Sequence, residues 1–280
     1  MGKNGLGDEK MDQQQKNTRV MKVISIGNSF SVNAHTYLRQ LAQAAGCPLT
    51  LFNCVIGGCT FEGHMKHVDA FEANPDDPEG KPYGTPEGAT TSLRDALLSE
   101  KWDIVTIQQA SHESFKPASY HPHADRLIAY VRKYAPQAEI VVHETWAYRE
   151  DHGFWGNPDI NTDVMYNGLS EAYRAFCKEN NFRMIPCGDA FQNARLSKEW
   201  GKPDFSKKET DGTVSRTLHD EWGFHANDNG CFLLSCVWFE FLFGKDVRKV
   251  PFNPDSVSEA DATILREIAH IVTNGVRSRD

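Results

Sequence analysis

Five short apolar runs, at 23–26, 49–55, 104–107, 139–143 and 183–186, constrain this chain more than any other feature. Stretches with helical spacing near 34–45, 91–100, 119–134 and 163–179 separate them, and two more follow near 229–243 and 258–273. A strand covered on both faces reads as a continuous apolar run, and strands that alternate with helices build βαβ units and a parallel sheet. The pattern therefore predicts a three-layer α/β/α sandwich with five parallel strands. It fills a single domain over 21–280, preceded by a polar, Gly- and Gln-rich disordered tail over 1–20. The largest irregularity is 59–90, where "EANPDDPEGKPYGTPEGATT" predicts a long loop.

Charge narrows the classes of partner. A net charge of −8 argues against nucleic acid and against an anionic membrane, since both demand a basic face. No run approaches the ~18 apolar residues of a spanning helix. The most apolar stretch, "CFLLSCVWFEFLFG", carries Glu240 and predicts a buried helix. The tail lacks the apolar segment of a signal peptide. That makes the cytoplasm the default compartment and export the alternative if a signal has been removed. The seven cysteines form no CxxC pair, and Cys54, Cys187, Cys231 and Cys236 fall in apolar runs. They are expected to be reduced and structural.

Open parallel sheets bind ligands at the carboxyl ends of their strands. Reactive side chains gather there: Ser29 after the first run, Gly57 and Gly58 after the second, Gln108 and Gln109 after the third, and Glu144, Thr145 and Trp146 after the fourth. Ser29 is open to two readings, helix cap or nucleophile. Gly27 supplies backbone freedom for a sharp turn, and Asn28 tolerates unusual dihedrals and brings an amide beside the serine. Ser31 and Asn33 are available as caps, which leaves Ser29 spare. A nucleophile needs a base and an oxyanion site. His64 and His67, in HMKH, lack a third ligand, so no metal or other cofactor is expected. His121 and His123 bracket a proline, and His143 ends the fourth run. His225 stands in a Gly- and Asn-containing loop just before the apolar helix, a good position for a base.

"SIGNSFS", "IGG", the Gln pair and "GFHANDNG", in this order over about 21–245, resemble the SGNH (GDSL-like) hydrolase superfamily, in a branch with GNSF for GDSL. The resemblance implies a flavodoxin-like sheet and a serine esterase or acyl hydrolase. It makes Ser29 the nucleophile and His225 the base. The N–H groups of Ser29 and of Gly57 or Gly58 become oxyanion donors. Where that family has a donating asparagine in GxND this chain has "QQAS", so Gln108 or Gln109 is the candidate third donor, with Asn28 next. The family's aspartate, three residues before the histidine, is Trp222 here, and Asp220 is the candidate in its stead, or else a main-chain carbonyl orients the ring. Trp146, Tyr148, His152 and Trp155 offer flat surfaces for a sugar, so a small or carbohydrate ester is the expected substrate, and the oligomeric state is left open. The alternative is a non-catalytic hydrolase-like scaffold that binds a glycan or a protein. A flavodoxin-like nucleotide binder is disfavoured by the lack of GxGxxG.

Overall fold

A computed structural model describes residues 19–197 and 217–277. The tail reading over 1–18 lies outside the described residues, and the guanidinium of Arg19 pairs with Asp103. Five strands form one parallel sheet: β1 (Met21–Gly27), β2 (Leu49–Val55), β3 (Ile104–Ile107), β4 (Glu139–His143) and β5 (Arg183–Ile185). Their order is β2-β1-β3-β4-β5. In register, β1 pairs Met21 with Leu49 on one side and Val23 with Ile104 on the other. This is the flavodoxin-like arrangement, whose order reverses between β1 and β3 and opens a crevice at their carboxyl ends. Ser29 follows β1 directly.

Ten α-helices of the described residues cover the sheet. They are α1 (Ser29–His35), α2 (Leu38–Ala44), α3 (Phe61–Ala73), α4 (Leu93–Leu98), α5 (Ser111–Ser114), α6 (His123–Tyr134), α7 (Thr162–Asn180), α8 (Cys187–Leu196), α9 (Asp228–Phe243) and α10 (Glu259–Arg277). Helices α1, α2, α8 and α10 pack around α9, while α3 and α4 pack on α6. The single helix expected at 34–45 is two. Between them the Tyr37 N–H donates to Ser235 Oγ of α9 at 3.1 Å, and the chain turns there.

The long loop expected over 59–90 is a correction. Its first half is α3, with Phe61, Met65, Val68 and Phe71 buried at helical spacing. Thr60 caps it by accepting the Gly63 N–H at 3.0 Å. The dense Pro, Gly and Asp tract begins only after this helix, and it holds a two-stranded ribbon, Tyr83–Gly84 with Thr90–Thr91. Also unforeseen was α8, whose Ala190, Phe191 and Ala194 are buried.

Helix α9 is apolar on every side, as a helix enclosed by a core must be. Its Trp238 meets His143 of β4 edge-on at 5.2 Å, and its Glu240 is satisfied although buried. His270 Nδ1 lies 2.7 Å from one oxygen of Glu240, and the Val247 N–H donates to the other at 3.0 Å. Glu240, Asp246 and His270 form the one group of potential metal ligands among the described residues, but the Arg248 guanidinium already holds Asp246 at 2.9 Å. All seven cysteines are buried and free of disulfides. Among the described residues no helix is long and apolar enough to cross a membrane.

The start of α9 is crowded. A Cβ at Gly230 would collide with the Leu218 carbonyl oxygen and meet Phe191 at 3.0 Å. Leu218 and Asn227 are joined by a main-chain hydrogen bond of 2.9 Å that closes the loop carrying His225. Gly230→Ala is expected to cost about 1–3 kcal/mol through overpacking. Calorimetry would read this as a lower unfolding midpoint, and an unchanged midpoint would show that the loop yields freely.

Candidate active site

Asn28 builds the first half of the site. Its backbone is extended, and its Oδ1 accepts the Phe30 N–H at 3.1 Å, so Asn28 caps α1. Ser31 and Asn33, the expected caps, serve elsewhere: Ser31 Oγ lies 2.7 Å from Asn28 O, and Asn33 Oδ1 accepts the Ala226 N–H at 3.3 Å. Ser29 is then the first helical residue, with its hydroxyl spare and its N–H among those a helix start leaves unpaired. Asn28 Nδ2 donates to Cys59 O at 3.1 Å and so tethers the Gly57–Gly58 turn to the serine. Gly58 needs glycine for its φ of 63°. Among the described residues the N–H groups of Ser29, Gly57 and Gly58 make no hydrogen bond. They are three donors on adjoining segments.

Gly27 is a glycine for a different reason from the one expected. A Cβ there would meet the Gln108 carboxamide at 2.9 Å, so the residue makes room rather than bends the chain.

The second half of the site arrives from far along the chain. His225 Nε2 lies 2.7 Å from Ser29 Oγ. Asp220 Oδ2 lies 3.6 Å from His225 Nδ1, and a carboxylate there favours the tautomer whose Nε2 accepts the serine proton. The separation is longer than a good hydrogen bond. The other Asp220 oxygen accepts the Trp222 and Gly223 N–H groups at 3.1 and 3.0 Å, which shapes the turn. Trp222, at the family's aspartate position, points away and is 67% exposed. Burial holds the His225 imidazole below its usual pKa, and Asp220 opposes that shift. The imidazole is therefore neutral at pH 7.

Four expected binding residues have other duties. Gln108 Nε2 donates to Asn28 Oδ1 at 2.9 Å, and its Oε1 accepts from His143 Nδ1 at 2.7 Å. Gln109 Oε1 accepts the Phe61 N–H at 3.0 Å, and its Nε2 donates to Ser119 O at 2.8 Å. Both carboxamides are consumed in the core, so neither is a free oxyanion donor. Asn28 is likewise spent as cap and tether. Trp146 is fully buried between Phe30 and Phe191, with ring centroids at 4.0 and 4.7 Å, and its Nε1 donates to Phe224 O at 2.9 Å. It clamps the His225 loop from beneath instead of facing a sugar. Glu144 is also interior: burial foremost, then Asp189, raises its pKa well above the carboxylate range, and one oxygen accepts the Asp189 N–H at 2.9 Å.

His152 and Trp155 do reach a cleft, of about 520 Å³, whose wall includes Tyr148, Phe224 and His112. Trp155 is 56% exposed there. His112 and Phe224 were not singled out from sequence. Their signal was position: His112 lies five residues past β3, at the carboxyl edge of the sheet, and Phe224 directly precedes His225.

The sequence profile of the DUF4886 family, described as a domain of unknown function, matches residues 22–272. A crystal structure of a DUF4886 protein from Bacteroides uniformis is 29% identical, with 94% of this chain and 96% of that chain covered and a TM-score of 0.74. A Slackia heliotrinireducens protein provisionally described as an SGNH hydrolase aligns at 19% identity, 79% and 98% coverage and a TM-score of 0.54. An acetyl xylan esterase aligns at 15%, 79% and 98% coverage and 0.51. At these identities the last two share the fold. A search of curated protein sequences finds no match.

Removing the Gln108 carboxamide should disturb the site through Asn28. Gln108→Leu leaves His143 Nδ1 without its buried partner, at a cost of about 1–3 kcal/mol, and frees Asn28 to turn. Capture of a fluorophosphonate by Ser29 is expected to slow by about tenfold as the serine and its donors lose alignment. An unchanged capture rate in the folded variant would show that Asn28 holds its orientation unaided.

Proposed function

The chain belongs to the DUF4886 family and carries the SGNH-hydrolase fold, and on that basis we propose that it is a serine esterase acting on a small or carbohydrate ester. The observation that carries the proposal is the 2.7 Å contact between Ser29 Oγ and His225 Nε2 at the carboxyl edge of the sheet. A serine that merely capped a helix would have no use for an imidazole at its hydroxyl.

In the first step Ser29 Oγ attacks the ester carbonyl carbon while its proton passes to His225 Nε2. The carbonyl oxygen becomes an oxyanion, and the N–H groups of Ser29, Gly57 and Gly58 receive it. The tetrahedral adduct collapses, the carbon–oxygen bond to the alcohol breaks, and His225 gives its proton to the departing oxygen. Water then loses a proton to His225 and attacks the acyl-enzyme. A second collapse returns the proton to Ser29 and releases the acid. Asp220 orients the ring and steadies the imidazolium. The aromatic wall of Tyr148, His152 and Trp155 supports an alcohol with a flat or ring-shaped body, such as a sugar.

Purified protein is expected to hydrolyse p-nitrophenyl acetate and to be labelled at Ser29 by a fluorophosphonate. Ser29→Ala should lower kcat by roughly 10⁴–10⁶ with the fold intact. More than a tenth of wild-type activity in that variant would sink the assignment.

The pH profile tests Asp220. Neutral His225 is the active form, so kcat/KM should fall as pH drops through a pKa below the usual 6.5. Asp220 raises that pKa, so Asp220→Asn should move the acid limb to still lower pH, and kcat should drop by about 10² or more as the favoured tautomer is lost. An acid limb that stays in place, with a near-normal rate, would leave a Ser–His dyad.

A further inference from the structure

Two clefts open at this edge of the sheet, and one side chain belongs to both. The aromatic cleft, about 520 Å³, includes Tyr148, Trp155 and Phe224. The Phe224 ring lies 4.2 Å from the His225 ring, so this cleft adjoins the base. The second cleft, about 430 Å³, is polar: Thr60, Glu62, Gln109 and His123 line it. Thr60 stands two residues past Gly58, so this cleft adjoins the oxyanion donors. His112 lines both. It is half-buried on α5, and its imidazole makes no hydrogen bond among the described residues. The segment beneath it is fixed: Ser111 Oγ meets Tyr148 Oη at 2.7 Å, and Ser119 Oγ donates to Glu113 O at 2.9 Å.

The chemistry of ester hydrolysis tells the clefts apart. The carbonyl carbon holds an oxygen aimed at the N–H donors, a leaving oxygen aimed at His225 Nε2, and an acyl chain in the direction that remains. The leaving alcohol therefore belongs on the His225 side. Resting on the esterase reading, we propose that the substrate straddles His112, with its alcohol in the aromatic cleft and its acyl group in the polar one. The acyl group is a short one that bears a hydrogen-bonding substituent such as a hydroxyl. The Glu62 carboxylate has no ion-pair partner among the described residues, and His123 Nδ1 is buried without a hydrogen bond. A plain alkyl chain would strip the exposed Glu62 carboxylate of water and return nothing, whereas a hydroxyl could donate to it.

The two halves of the reaction separate the two clefts. The acyl-enzyme has lost its alcohol, so its breakdown depends on the acyl cleft alone. Stopped-flow assays of the full chain with p-nitrophenyl acetate, butyrate and 3-hydroxybutyrate provide the readout. In the wild type, kcat/KM should favour 3-hydroxybutyrate over butyrate by about tenfold. Glu62→Ala should erase that ratio. Trp155→Ala should lower kcat/KM for the aryl esters but leave deacylation of the acetyl-enzyme at its wild-type rate. Both side chains are exposed, so both variants should fold. A ratio of one in the wild type, a ratio unmoved by Glu62→Ala, or a changed deacylation rate in Trp155→Ala would each overturn the partition while Ser29 labelling still upheld the esterase. If neither ester turnover nor Ser29 labelling occurred, both proposals would fall together.

Discussion

One buried carboxamide joins the segments from which the site is built. The Oδ1 of Asn28 accepts from Phe30 N–H and Gln108 Nε2, and its Nδ2 donates to Cys59 O. The turn bearing Ser29, the end of β3 and the glycine turn after β2 are thereby locked to one another. Gln108 extends the lock to His143 at the end of β4. Since these groups are almost wholly buried, every bond in the chain matters, because an unmade one would find no water to replace it. The chemistry needs alignment to fractions of an ångström, and a satisfied polar network on rigid strands is a suitable way to supply it.

His225 is secured from other directions. Trp146, held between two phenylalanines, donates to Phe224 O, Asn33 accepts from Ala226 N–H, and the Arg149 guanidinium donates to Asp220 O at 2.7 Å. A loop with little secondary structure thus holds one geometry. The long Asp220–His225 separation fits a ring positioned largely by this main-chain clamp, with the carboxylate steering its tautomer. Desolvation of the imidazole then outweighs the pull of Asp220 and keeps it unprotonated at neutral pH.

Much of the architecture was legible. Three of the five strands begin and end where the apolar runs do, because β-forming residues dominate each run and turn or helix chemistry flanks it. Helix α3 went unread although Phe61, Met65, Val68 and Phe71 keep its period, because the Pro- and Gly-rich tract that follows coloured the whole interval. The polar side chains were harder. Gln108, Gln109 and Trp146 do stand at the carboxyl ends of their strands, yet each faces inward. A strand end carries residues to the edge of the sheet but does not say which way they turn.

By itself the sequence determined the number and chain order of the strands, the sharp turn bearing Ser29, and the loop bearing His225. These are local properties, since periodicity and turn chemistry act over a few residues. Only the tertiary structure decided that the two meet across 196 residues of chain, that Asp220 rather than Trp222 turns toward the ring, and that Asn28 and Gln108 support the site from beneath. Those outcomes depend on which buried groups can satisfy one another once the helices close over the sheet, and that depends on packing between distant segments.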